Sequence, residues 1–271
     1  MDKYQKKKQF KIALAYLLII IVIIGGIYLV IKPGLPSCSD GIQNQGEAGV
    51  DCGDPCSPCS WQLQDDLEII STKAIPTQNN YVDLVAKIKN PNSDFGAKSF
   101  SYIFKLYDSQ NNLIASKEGV SYILPLETTN IIEQKILVDY DIVSVEFMVT
   151  EVDWQELIDY EEPEFLIRNI DFNQDENLTR AYGALENRSN YDFNTVNIWV
   201  VLLDESSNTI GLGKTELKTI LSNESRYFEF SWFFPLKAIV SNLDVSARTN
   251  VFLDDNFMRR YGGERERFQE Y

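Results

Sequence analysis

The chain has 271 residues, enough for more than one domain, and 44% of them are hydrophobic, which is enough for well-packed cores. Its net charge is −15 and it contains no histidine. A strongly acidic surface repels nucleic acid, and the missing imidazole removes histidine-activated serine or cysteine nucleophiles along with the commonest zinc ligand.

The charge is uneven. Residues 1–33 hold six lysines (Lys3, Lys6, Lys7, Lys8, Lys11 and Lys32) against Asp2, so the rest of the chain carries −20. Ile12 to Ile31 read IALAYLLIIIVIIGGIYLVI, twenty residues without a charge. At about 1.5 Å per residue, such a helix matches a hydrocarbon core of roughly 30 Å. The preceding lysines keep the N-terminus cytoplasmic and send the remainder out. A cleaved signal peptide would have a shorter apolar core, and Lys32-Pro33 follows here where a small-residue cleavage site belongs. We therefore expect a basic tail over 1–11, a transmembrane helix over 12–32, and a single-pass cell-membrane protein with most of its chain extracellular.

Cys38, Cys52, Cys56 and Cys59 crowd into the next segment, a module over 33–60. Four cysteines on the oxidising side predict two disulfides, with three connectivities open. A tetrahedral zinc site is the rival, from the Cys56-x-x-Cys59 spacing. Asp40, Asn44, Glu47 and Asp51 offer hard oxygen ligands between glycines, so calcium is the one candidate cofactor. The competing role for the same side chains is to cap turns through Asx-type bonds. The segment resembles a short stretch of prokaryotic surface proteins, C-x-D-G-x-x-N-x-x-E-x-x-x-D-C-G-G-x-C-x-x-C, departing from it at Asp54. That resemblance implies export and names no ligand.

Beyond Trp61 the apolar period becomes two. Val82, Leu84, Ala86 and Ile88 alternate with Asp83, Val85, Lys87 and Lys89, and Asn90-Pro91 then breaks the strand. Phe100, Tyr102, Phe104 and Leu106 form the apolar face of a second strand, ending in the turn Asp108–Asn112. Val196, Ile198, Val200 and Leu202 repeat that face 96 positions later, ending in Asp204–Asn208. Leu124–Thr129 aligns in the same way with Ile220–Ser225. A repeat of this length is a whole domain. We expect an all-β ectodomain of two tandem antiparallel, immunoglobulin-like β-sandwiches, over 61–158 and 159–258, with a hinge at Asp159–Pro163 and a loose tail over 259–271.

Phe104-Lys105-Leu106-Tyr107-Asp108 fits the signature of the FxLYD domain, and residues 62–155 resemble that family. The second copy keeps only Leu202 and Asp204 of the signature. The resemblance implies a non-catalytic envelope module.

No catalytic residue is assigned. Gly211-Leu212-Gly213-Lys214-Thr215 lacks the first glycine of a phosphate loop and reads as a strand passing close to its neighbour. Asp153, Glu156, Asp159, Glu161 and Glu162 could pair for glycoside hydrolysis, yet they read as a solvated charge run. Phe228, Phe230, Trp232 and Phe234 share one strand face and belong in a core. Trp199 and Phe233 fall outside it, at an inter-domain or partner contact. Asn177, Asn187 and Asn223 head glycosylation triplets. The expected partners are the membrane through 12–32 and an unidentified envelope protein or glycan. The alternatives are a subunit of a secretion or pilus complex and a carboxylate-based surface hydrolase.

Overall fold

A computed structural model describes residues 3–31, 38–59 and 63–262. The exit segment 32–37, Trp61 and residues 263–271 of the tail lie outside the described residues. The chain divides into two compact units, Met1–Leu63 and Gln64–Tyr271.

In the first unit, helix α1 runs Lys3–Ile31. Residues 13–27 of this helix are exposed and uncharged. Among the described residues no helix is long and apolar enough to cross a membrane. The expected span, up to Ile31, falls within this helix.

Among the described residues, the regular elements of the second unit are strands up to residue 248, followed by short helical turns within 251–261. The first copy holds β1 (Glu68–Pro76), β2 (Tyr81–Lys89), β3 (Phe95–Tyr107), β4 (Leu113–Ile123), β5 (Thr128–Leu137) and β6 (Ser144–Glu156). The second holds β7 (Phe165–Gln174), β8 (Thr179–Asn187), β9 (Phe193–Leu203), β10 (Thr209–Ile220), β11 (Ser225–Trp232) and β12 (Asn242–Arg248). Each copy forms two antiparallel three-stranded sheets. Orders β1-β2-β5 and β4-β3-β6 in the first recur as β7-β8-β11 and β10-β9-β12 in the second.

Pleating explains the cores. Leu84, Ala86 and Ile88 of β2 face Phe100, Tyr102, Phe104 and Leu106 of β3, all buried in one cluster that also takes Phe147. In the second copy Val196, Ile198, Val200 and Leu202 meet Phe228, Phe230 and Trp232. Gly213 is needed there, because a Cβ would stand 2.6 Å from the Phe230 ring and 2.8 Å from Val200. The GLGKT stretch is thus part of strand β10, not a loop.

The repeat extends to its polar clamps. Asn90 and Asn187 are both fully buried. The Nδ2 of Asn90 donates to the Phe95 and Leu124 carbonyls at 2.7 and 2.9 Å. The Nδ2 of Asn187 donates to Tyr191 and Leu221 at 2.8 and 3.1 Å. Each Oδ1 accepts a backbone N–H two residues on. This pairing also sets the register of the following turn. Leu124 corresponds to Leu221 and Glu127 to Glu224, since each glutamate accepts the N–H of its own leucine. The alignment of Leu124 with Ile220 is therefore one residue out. Replacing either asparagine by alanine orphans two buried carbonyls, and denaturant titration should show a loss of about 1–3 kcal/mol at each site.

The turns Asp108–Asn112 and Asp204–Asn208 are also built alike. Asp108 Oδ1 accepts from the Gln110 and Asn112 N–H groups, and Oδ2 from the Asn112 amide. Asp204 does the same with Ser206 and Asn208. Hydrogen bonds from the asparagine side chain, then from its backbone, hold both carboxyls below the usual carboxylate range. A depressed folded value favours folding above the unfolded-chain pKa of about 3.9 and loses that contribution as pH falls through it. The double variant Asp108→Asn, Asp204→Asn should show a shallower fall of denaturation midpoint below about pH 4 than the parent chain.

Two expectations about the ends of the second copy change. The presumed hinge is held: the Tyr160 hydroxyl donates to the Pro125 carbonyl at 3.2 Å, and its ring packs on the second core. Residues 259–262, assigned to the tail, belong to the fold. Asp254 caps a short helix α2 (Asp255–Tyr261) whose Phe257, Met258 and Tyr261 are buried, and the Ile158 N–H donates to the Tyr261 carbonyl.

Candidate functional site

The cysteine module closes with two disulfides, Cys38–Cys56 and Cys52–Cys59, and no described cysteine is free. Zinc needs thiolates, and these sulfurs have none to give. Glu47 lies beside Cys38 and Cys56, with Oε1 3.1 Å from the Cys56 sulfur, which carries no hydrogen in a disulfide.

The proposed calcium ligands hold turns. Asp51 accepts the Asp40 and Gly41 N–H groups at 2.8 and 2.9 Å. Asp40 accepts the Ile42 N–H and the Asn44 amide. Glu47 Oε2 accepts the Asn44 N–H at 3.2 Å. The oxygens of Asp40, Glu47 and Asp51 knit the loop together as turn caps, whereas Asn44 takes part as a donor and its own Oδ1 is buried without a partner among the described residues. A calcium ion would share or replace these bonds.

In the second unit the two sandwiches meet sheet against sheet. Ile75, Val85 and Ile132 on the outer face of β1-β2-β5 pack on Trp199, Val201 and Leu212 of β10-β9. Strands β2 and β9 are consequently buried on both faces over much of their length. Gln134 adds a hydrogen bond to the Leu212 carbonyl at 2.8 Å. The contact joins unlike sheets of the repeat, so it is heterologous.

A buried charge pair sits at one side of this contact. Arg248, at the end of β12, is 7% exposed, and Nη1 lies 3.2 Å from Oε1 of Glu127 in the first copy. Nη2 donates to the Tyr122 carbonyl. The guanidinium lies 3.9 Å from the centre of the Tyr122 ring and 5.4 Å from that of Trp199. Neither Nε nor Nη1 makes a hydrogen bond of good geometry. The aromatic faces therefore supply much of what steadies the cation. Burial pushes the Glu127 carboxyl above its ordinary range, while Arg248 and the Leu124 N–H pull it back. A cavity of about 360 Å³ adjoins the pair, with Lys87, Glu162 and Asp244 among its lining.

The remaining sequence candidates scatter. Asp153 and Glu156 lie on β6, and Asp159, Glu161 and Glu162 on the connection to β7; only Glu162 lines this cavity. Trp199 is an inter-sandwich residue, whereas Phe233 is 72% exposed. Asn187 is committed to its two carbonyls, so its triplet has no free amide for a glycan in this fold. Sequence reasoning missed Arg248 and Tyr122, whose only signal was a lone arginine closing a strand pattern.

No family model matches the chain, and no curated protein matches it. Among solved structures, it is similar to the crystal structure of red sea bream transglutaminase at 13% identity, with a TM-score of 0.22. That likeness covers 68% of this chain and 31% of the transglutaminase, so the chain spans about a third of that protein. It is also similar to the N-terminal CBM22-1-CBM22-2 tandem domain from Paenibacillus barcinonensis Xyn10C, at 7% identity and a TM-score of 0.14, over 68% of this chain and 83% of that one. At such scores neither likeness bears on fold or function.

Proposed function

We propose that this is a membrane-anchored cell-envelope protein, non-enzymatic, that carries an FxLYD-like tandem-sandwich body outside the cell for binding or spacing. The observation that carries the reading is the pair of disulfides closing within Cys38–Cys59, directly after the lysine-flanked, uncharged sequence of α1. Disulfides form and persist on the oxidising side of a membrane. The basic start of the chain favours a cytoplasmic N-terminus, with residues 12–32 as the anchor. The sheet-to-sheet packing of the two sandwiches supports the spacing role, because a buried apolar contact stiffens the pair.

Labelling of intact cells tests it. A membrane-impermeant amine reagent should modify the exposed Lys214 and Lys237 and leave Lys11 untouched until the cells are opened. Lys214 and Lys237 protected in intact cells and labelled only after lysis would refute the anchored topology.

A further inference from the structure

The two copies share one topology but finish one end differently. In the second copy the connection between β11 and β12 takes residues 233–241, nine residues. Gln174 at the close of β7 ties it down, donating to the Ala238 carbonyl at 3.1 Å and accepting the Val240 N–H at 2.8 Å. Phe234, Leu236 and Ala238 then pack on the core and plug that end.

In the first copy the matching connection is only 138–143, six residues, and Pro76 closes β1 where Gln174 closes β7. Proline has no side-chain donor or acceptor for such a tie. The end stays open as a cavity of about 930 Å³ between the close of β1, the β1–β2 turn and the β5–β6 connection.

Its walls are unusual for this protein. Tyr81 and Tyr140 are 38% and 68% exposed, and they share the lining with Asn79, Asn80, Asp139 and Asp141. Most other turn asparagines and aspartates described above spend their side chains on backbone caps, as Asp108 and Asp204 do. Among the described residues, none of these six side chains has a hydrogen-bond or ion-pair partner. Asn79 and Asn80 both sit at positive φ, 55° and 60°, which fixes the turn that presents them.

We propose that this open end binds a neutral glycan. A sugar ring has an apolar C–H face that lies on an aromatic ring and a rim of hydroxyls that pair with amides and carboxylates. The lining offers both chemistries side by side, in a volume at the top of the usual range for ligand sites, roughly 300–1,000 Å³. Asp139 and Asp141 outnumber Lys73 in the lining, which disfavours an anionic ligand. The inference deepens the envelope reading by giving the exposed body a ligand class.

Calorimetric titration of the full-length chain in detergent, with neutral tetrasaccharides of β-linked glucose, β-linked N-acetylglucosamine and α-linked mannose, tests it. At least one should saturate with a Kd of about 1 mM or tighter. Tyr140→Ala and Tyr81→Ala should weaken it about tenfold or more, with circular dichroism unchanged. Tyr140→Phe keeps the ring and should retain binding, as should Tyr227→Ala, a 60% exposed tyrosine on the second copy. The proposal is overturned if no tetrasaccharide saturates, if Tyr140→Ala binds as the parent does, or if Tyr227→Ala weakens binding equally. That failure would leave the lysine-labelling result untouched, so the two readings fall separately.

Discussion

Arg248→Ala should destabilise the chain by about 3–5 kcal/mol, because it leaves the Glu127 carboxylate buried without its cation. Three losses coincide: the charge contact, the hydrogen bond to the Tyr122 carbonyl, and the stacking on Tyr122. The double variant Arg248→Met, Glu127→Leu removes both charges together and should recover most of that loss, since well-packed apolar replacements of buried pairs are often neutral or better. Guanidinium titration of the two variants measures the difference. A cost below about 1 kcal/mol for Arg248→Ala would mean that the pair behaves as an exposed salt bridge. The pH dependence has a definite sign. Because burial raises the folded pKa of Glu127, ionising it disfavours the fold, so stability attributable to this group falls as pH rises from its unfolded value through the raised one.

Trp199→Ala should cost about 3–5 kcal/mol, the range for emptying a buried aromatic site. Trp199 is 7% exposed and belongs to neither sandwich core; it fills the layer between sheets against Ile75, Val85 and Ile132. The cost should therefore fall on both copies at once. Were the copies independent, the same substitution would empty a solvent-facing position and cost no more than a typical surface change, within about 0.5 kcal/mol.

The sequence carried the inner faces of the sandwiches plainly. Period-two alternation picks out Leu84, Ala86 and Ile88 in β2, and the 96-residue offset pairs Phe100, Tyr102, Phe104 and Leu106 with Val196, Ile198, Val200 and Leu202, all of them buried. The aspartate turns were legible for the same reason: an Asx turn is local, written in five consecutive residues. Contacts between distant segments were not. Alternation places Trp199 and Val201 outward from their own core but cannot say that another sheet waits there. Arg248 and Glu127 stand 121 positions apart with no pattern between them. The last turn of α2, residues 259–261, looked like tail because it has little apolar spacing of its own, and only its landing on the second core makes Tyr261 an interior residue. Disulfide pairing was open for a similar reason, since spacing alone admits three connectivities.

That the two copies fold as one body is the claim on which the spacer role rests, and equilibrium unfolding tests it most directly. Trp154 packs against the first core, Trp232 lies within the second, and Trp199 sits between them. Variants keeping each of these tryptophans in turn, with the others replaced by phenylalanine, can be unfolded in urea and followed by fluorescence. The shared sheet-to-sheet contact predicts that, within each variant, fluorescence and far-UV circular dichroism report one coincident transition. Fluorescence from Trp154 or Trp232 that changes at a denaturant concentration clearly apart from the rest of the same chain would contradict it.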